Sequence, residues 1–253
     1  MIPYDSDRPL IFIHVPKCAG TSVRQIVEQW FSSGAHRHYR RPETRDIPKV
    51  INFAKQEKSV PQLIFGHFSV VEGLGIQSQY PQVTQFVTIL RDPLETAISE
   101  YFYLLKRAQP IWKSTYWEIG RWVKNGGLRP KSLQASMAHR AQIRSYTNVE
   151  DYINCNRSKI LDHFPVTVTE DNYVEVIETM FVEIGVLEHL EISLRRIAAA
   201  LGQKEQIPMI PHLNQSNQTH DLSEQVKVRF RKKNALVYKI YDYVKLRFEG
   251  DIA

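Results

Sequence analysis

The stretch Leu10–Phe31, LIFIHVPKCAGTSVRQIVEQWF, limits this chain more than any other. An apolar run rich in β-formers, Leu10 to Val15, ends at Pro16 and predicts a buried strand. Val23, Ile26, Val27 and Trp30 then recur at i, i+3, i+4 and i+7, the apolar face of an amphipathic helix. Between them lies the turn PKCAGTS. Gly20 tolerates backbone angles that other residues avoid, and Thr21 or Ser22 suits a helix N-cap. Strand, glycine-bearing turn and helix start bring unpaired amides and the helix dipole to one point, which favours an anion. Lys17 adds a positive charge, and Thr21 and Ser22 add hydroxyl donors. The nucleotide-triphosphatase loop reads GxxxxGK[ST]; here Lys17 precedes the glycine and the first glycine is missing.

With 253 residues, the chain is long enough for one large α/β domain and short for two. A hydrophobic content of 43% and charged content of 24% suit a globular protein, and the net charge of +6 favours an anionic ligand or partner. That charge does not choose among a nucleotide, an acidic glycan and nucleic acid. Cys18 and Cys155 make no disulfide framework and no metal spacing. Cys18, beside Lys17 at a helix start, is either a reactive thiol or a small filler of the turn, and no partner base favours the first reading. The N-terminus carries Asp5, Asp7 and Arg8 and does not read as a signal peptide, and no 18-residue apolar run predicts a membrane span. The expectation is a soluble, cytoplasmic protein without a membrane stalk.

Further along, residues 32–57 read as a polar, irregular loop with a basic cluster at His36, Arg37, His38, Arg40 and Arg41. Strands are expected at 63–65, at 83–90 and, from PVTVTE, at 165–170. Pro93 opens a helix whose buried face is Leu94, Ala97, Ile98, Tyr101 and Leu105. Helices are expected at 171–182, at 187–201 with Gly202 ending the second, and from a capping box at 221–224 to about Phe248. The stretch 109–152, with Trp112, Trp117 and Trp122, reads as helices and loops capping the sheet. Alternating strands and helices predict a mostly parallel sheet flanked on both faces, with ligands at the C-terminal strand ends.

HVPKCAGTS resembles the 5′-phosphosulfate loop of sulfotransferases that use 3′-phosphoadenosine 5′-phosphosulfate (PAPS), most closely the branch holding heparan sulfate 2-O-sulfotransferases and bacterial relatives. TILRDPLETAISEYFYL resembles the 3′-phosphate motif of the same enzymes, an Arg followed eight residues later by Ser. The resemblance implies a P-loop-like three-layer fold spanning 1–253 as one domain, with 109–162 a helical insertion on the acceptor side. It assigns Lys17, Cys18, Ala19, Gly20, Thr21 and Ser22 to the phosphosulfate and Arg91 and Ser99 to the 3′-phosphate. Lys17 also carries a catalytic role, neutralising the bridging oxygen as the nucleotide leaves. In that branch a strand-end Gly-His supplies the base, which implies His67 after Gly66; Phe65 stands where the heparan enzymes have a second His. IGVLEHLEISLRRIAAALG resembles the segment after the last core strand, with Glu188, Leu190 and Ser193 at its patterned positions, and ALVYKIYDYVKLRF resembles the closing helix. PHLNQS resembles a loop over the nucleotide and adds Asn214 and Ser216 as cofactor contacts.

The function so implied is sulfuryl transfer from PAPS to an acceptor hydroxyl, most simply of a carbohydrate, with no metal, no nucleic-acid partner and a bacterial source. A homo-oligomer is compatible with the sequence. The alternatives are an ATP-dependent small-molecule kinase and a non-catalytic binder of polyanions. The kinase lacks GK[ST] and an acidic residue placed for a metal, and the binder lacks a recognised nucleic-acid motif.

Overall fold

A computed structural model describes residues 1–40, 48–53, 62–108, 141–203 and 222–250. Five parallel strands form one sheet in the order β2-β3-β1-β4-β5. These are β1 (Leu10–Ile13), β2 (Ala35–His38), β3 (Leu63–Gly66), β4 (Gln85–Leu90) and β5 (Phe181–Val186). The helices are α1 (Gly20–Phe31), α2 (Ile76–Gln79), α3 (Pro93–Ala108), α4 (Val149–Cys155), α5 (Tyr173–Met180), α6 (Leu190–Ala200), α7 (Glu224–Lys233) and α8 (Ala235–Gly250).

Strand periodicity explains how the sheet is covered, because alternate side chains point to opposite faces. Leu10 and Phe12 of β1, with Leu63 and Phe65 of β3, pack on Val23, Ile26, Val27 and Phe31 of α1 and on Leu194 and Ile197 of α6. Ile11 and Ile13, with Ile64, Phe86 and Ile184, pack on Ile177 of α5 and on Ile240, Val244 and Phe248 of α8. Ala97, Ile98 and Tyr101 of α3 form a third cluster with Tyr152 and Ile153 of α4 and Val226 and Phe230 of α7. A parallel sheet buried on both faces follows from strands that are apolar throughout. All four residues of β1 and of β3 are buried.

Several expectations need correction. PVTVTE is not a strand: Asn172 accepts from the Thr169 amide at 2.7 Å and donates to the Thr167 carbonyl at 3.1 Å. An asparagine-centred turn thus takes the backbone bonds a sheet would have used. The strand there is FVEIGV, because α5 stops at Met180 rather than 182. Its one charge, Glu183, is buried against Arg196 at 3.3 Å. Part of the presumed 32–57 loop is the strand β2, which among the described strands pairs with β3 alone, at the sheet edge, and so needs no apolar run. The closing helix is two helices broken at Asn234, whose side chain accepts from the Ser158 amide at 2.8 Å and donates to the Phe230 carbonyl. Gly202 does end α6. Its φ is 65°, and the Gln203 and Gly202 amides return to Ala198 and Ala199 in a Schellman arrangement.

Candidate functional site

Three neighbouring strands, β3, β1 and β4, deliver their C-terminal ends side by side. Ile13 is registered with Gly66 on one flank and with Thr88 on the other. The ladder continues one residue, with the His14 amide on the Gly66 carbonyl at 2.8 Å, and the Thr88 hydroxyl takes the Ile13 carbonyl at 2.8 Å. From these ends leave His67, the Pro16–Ala19 turn and Arg91.

The turn is bent by left-handed backbone at two non-glycine residues, Lys17 (φ 70°) and Ala19 (φ 51°). Each costs on the order of 1 kcal/mol, a strain that sites tend to carry. Successive amides in such a turn form a concave nest for anions. The expected N-cap is absent, because α1 already starts at Gly20 and Thr21 and Ser22 lie inside its first turn. No acidic residue sits in that turn. The first amides of a helix have no intrahelical acceptor, so this end presents donors and dipole to whatever lies before it. Gly20 is required by contact: a Cβ there would lie 1.7 Å from Nε2 of His14. Cys18 faces inward and its amide is turned back to the Val15 carbonyl at 3.3 Å. Burial pushes its thiol up to about 12, so the reactive-thiol reading fails and the filler reading holds.

Lys17 extends over the Tyr103 ring, with Nζ 4.3 Å from its centroid. Burial first, and the Arg91 charge second, hold its pKa below the ordinary lysine value. The Arg91 effect follows from two like charges held near each other. Arg91 leaves the end of β4 and contacts Glu95 at 3.3 Å, an exposed pair worth little in water. Ser99 lies two turns along α3, half-buried, with no hydrogen bond to a described residue. Asn214 and Ser216 fall outside the described residues, as do Trp112, Trp117 and Trp122.

His67 follows Gly66 for a steric reason. A Cβ at Gly66 would meet the His38 carbonyl oxygen at 2.0 Å, and the His67 amide donates to that same oxygen at 3.0 Å. Its ring is neutral, pushed down to about 3 by burial and then by the neighbouring His163 and His38. Nε2 of His67 shares a 2.9 Å hydrogen bond with Nδ1 of His14, and that Nδ1 also meets the Tyr39 hydroxyl at 2.8 Å.

Two of these imidazoles went unnoticed in sequence. His14 lies inside the loop motif and carries no signal apart from it. His163 comes from the 3₁₀ turn Ile160–His163 and lies with its ring centroid 6.1 Å from that of His67. Its Nδ1 is sealed from solvent with no hydrogen-bond partner among the described residues. A cavity of about 30 Å³ brings His163 together with Lys17, Thr96, Glu100 and Lys159, and the Lys159–Glu100 pair closes at 2.7 Å. Glu188 and Ser193 hold the frame. Glu188 accepts from the Asp92 amide at 2.9 Å, and Ser193 bonds both backbone groups of Val186 at 2.8 Å. Among the described residues no three His, Cys, Asp or Glu side chains group as metal ligands, and no helix is long and apolar enough to cross a membrane.

No family model matches the chain, and no curated protein matches it. Among solved structures it is similar to mouse sulfotransferase SULT7A1 complexed with PAP, at 13% identity and a TM-score of 0.38. That match covers 90% of this chain and 64% of the mouse chain.

Proposed function

We propose that this chain moves a sulfuryl group from PAPS to a hydroxyl of an acceptor, a carbohydrate by preference. The observation that carries this reading is the convergence of an anion nest, two cations and a neutral imidazole at three adjacent strand ends. The nest before α1, with Thr21 and Ser22, binds the 5′-phosphosulfate. Arg91, with Ser99 on the following helix, binds the 3′-phosphate, where a guanidinium gives a two-pronged contact. The Pro-Lys-x-x-Gly-Thr-Ser order and the Arg91–Ser99 spacing, which resemble sulfotransferase motifs, point to a bisphosphate rather than a triphosphate.

In the reaction the acceptor oxygen forms a new bond to sulfur while the bond from sulfur to the bridging phosphate oxygen breaks. The acceptor proton passes to His67, and adenosine 3′,5′-bisphosphate (PAP) departs with the electron pair of the broken bond. Charge develops on the leaving oxygen, where Lys17 neutralises it; positioning and electrostatics dominate such in-line displacements. His67 suits the part because it is neutral over the whole physiological range. A value near 3 makes a weak base, but an anionic phosphosulfate beside the ring favours the charged imidazolium and raises it.

Calorimetric titration with the bisphosphate, against AMP and ATP, tests the reading without knowledge of the acceptor. Preference for the bisphosphate, lost in Arg91→Ala, is the expected result. Equal or tighter binding of ATP sends the assignment to a kinase, and no nucleotide binding at all sends it to a polyanion binder.

A further inference from the structure

The hydrogen-bond chain behind His67 has a direction, and that direction bears on which nitrogen is left to react. Nδ1 of His14 meets two groups, the Tyr39 hydroxyl and Nε2 of His67, and has either one hydrogen or one lone pair to offer them. Burial raises the pKa of Tyr39, so its hydroxyl keeps its hydrogen. Among the described residues Nδ1 of His14 is the group that the Tyr39 hydroxyl bonds, so the hydroxyl hydrogen is turned toward that nitrogen. Nδ1 of His14 is then the lone-pair nitrogen. His67, sharing that lone pair, must carry its hydrogen on Nε2.

Resting on the transferase reading for its chemical consequence, we infer that His14 is a positioning residue that holds His67 with its hydrogen on Nε2, leaving Nδ1 to receive the acceptor proton. Nδ1 of His67 has no hydrogen bond to a described residue, so that position is open. When Nδ1 takes the proton, the imidazolium still donates from Nε2 to His14. This is the part an aspartate plays toward the histidine of a hydrolase triad, filled here by a neutral ring. Neutrality is enforced. Burial holds the His14 pKa well below its ordinary value, and the Arg24 and Lys17 charges act in the same direction. The other nitrogen of His14 lies against Gly20, so one ring sets both the start of α1 and the orientation of His67.

The test is the imidazole nitrogen spectrum of the uniformly ¹⁵N-labelled full chain near neutral pH, in wild type, His14→Ala, His14→Asn and Tyr39→Phe. Wild type is expected to show His67 protonated at Nε2. His14→Ala should mix the His67 tautomers, and His14→Asn should restore the single one, because an asparagine oxygen can sit near the position of Nδ1. Tyr39→Phe removes only the hydroxyl that directs His14 and should also give a mixture, which keeps the test available if His14→Ala does not fold. In sulfuryl-transfer assays His14→Ala should lower kcat about tenfold or more while KM for PAPS moves less, with partial recovery in His14→Asn. A wild-type His67 protonated at Nδ1, or a His67 tautomer unchanged in His14→Ala, overturns the inference. The spectra need no nucleotide. Failure to bind the bisphosphate would therefore sink the transferase reading alone, and the positioning role would stand or fall on the tautomers.

Discussion

Two strand–loop–helix units on adjacent parallel strands, β1 into α1 and β4 into α3, have helix starts that are treated in opposite ways. At α3 the end is filled from within: Asp92 accepts from the Leu94 and Glu95 amides at 2.8 and 3.0 Å, and Glu95 sits in the first turn. At α1 there is no acidic residue in the first turn, and two left-handed residues precede it. One helix dipole is answered by the protein's own carboxylate; the other meets no acidic residue in its first turn, and there we propose the 5′-phosphosulfate. The same local architecture thus gives a structural joint in one place and a candidate site in the other. At the joint, the ligand contacts we propose come from side chains, Arg91 and Ser99.

The largest expected effect concerns the buried imidazoles around the strand ends. His14, His38, His67 and His163 are all held below their ordinary values with burial as the first cause, His38 at about 4 and His67 at about 3. In the unfolded chain each titrates near 6.5, so below that pH the unfolded state binds more protons. Their contribution is fully present above about pH 6.5 and is lost as pH falls toward the folded values. Each imidazole kept neutral removes about 1.4 kcal/mol of stability per pH unit in that window. Denaturant unfolding from pH 7 to 4.5 should show a steep loss, and saturating bisphosphate should lessen it by placing negative charge near the rings. A flat profile would mean that these imidazoles are solvated.

Those histidines also mark where the sequence stopped being readable. The cradle was legible because its parts are contiguous: strand, turn and helix of the Leu10–Phe31 stretch announce themselves by period and by glycine. Likewise Arg91 stands at the end of an apolar run and Pro93 opens the next helix. The imidazole cluster joins His14, His38, His67 and His163 across separate elements, and no local pattern reports a contact of that kind. PVTVTE failed for a different reason, since its β-branched alternation is real but Asn172 captures its backbone. Only the first two residues of FVEIGV fall in the helix expected over 171–182, because Phe181 continues the spacing of Ile177 across Met180.

Gly20→Ala sharpens the contrast from the other side. A methyl group 1.7 Å from Nε2 of His14 cannot be accommodated without moving the ring or the start of α1. Overpacking of this kind costs about 1–3 kcal/mol, read from the denaturant midpoint. Because the displaced elements are the anion nest and His14, bisphosphate affinity should fall about tenfold or more, more than stability alone predicts. Normal affinity in a destabilised Gly20→Ala chain would detach the α1 start from nucleotide binding.

Asp92→Ala is the smallest perturbation and the most direct comparison of the two helix ends. It removes the carboxylate that caps α3 and should cost about 1 kcal/mol of stability, with Asp92→Asn recovering most of it. The backbone of residue 92 still receives the Thr96 hydroxyl and still donates to Glu188, so the joint should not open. Bisphosphate affinity should be unchanged or slightly higher, because a negative charge next to Arg91 has been removed. An affinity that falls along with stability would show that Asp92 sets the aim of Arg91, and that the α3 end belongs to the site as fully as the α1 end does.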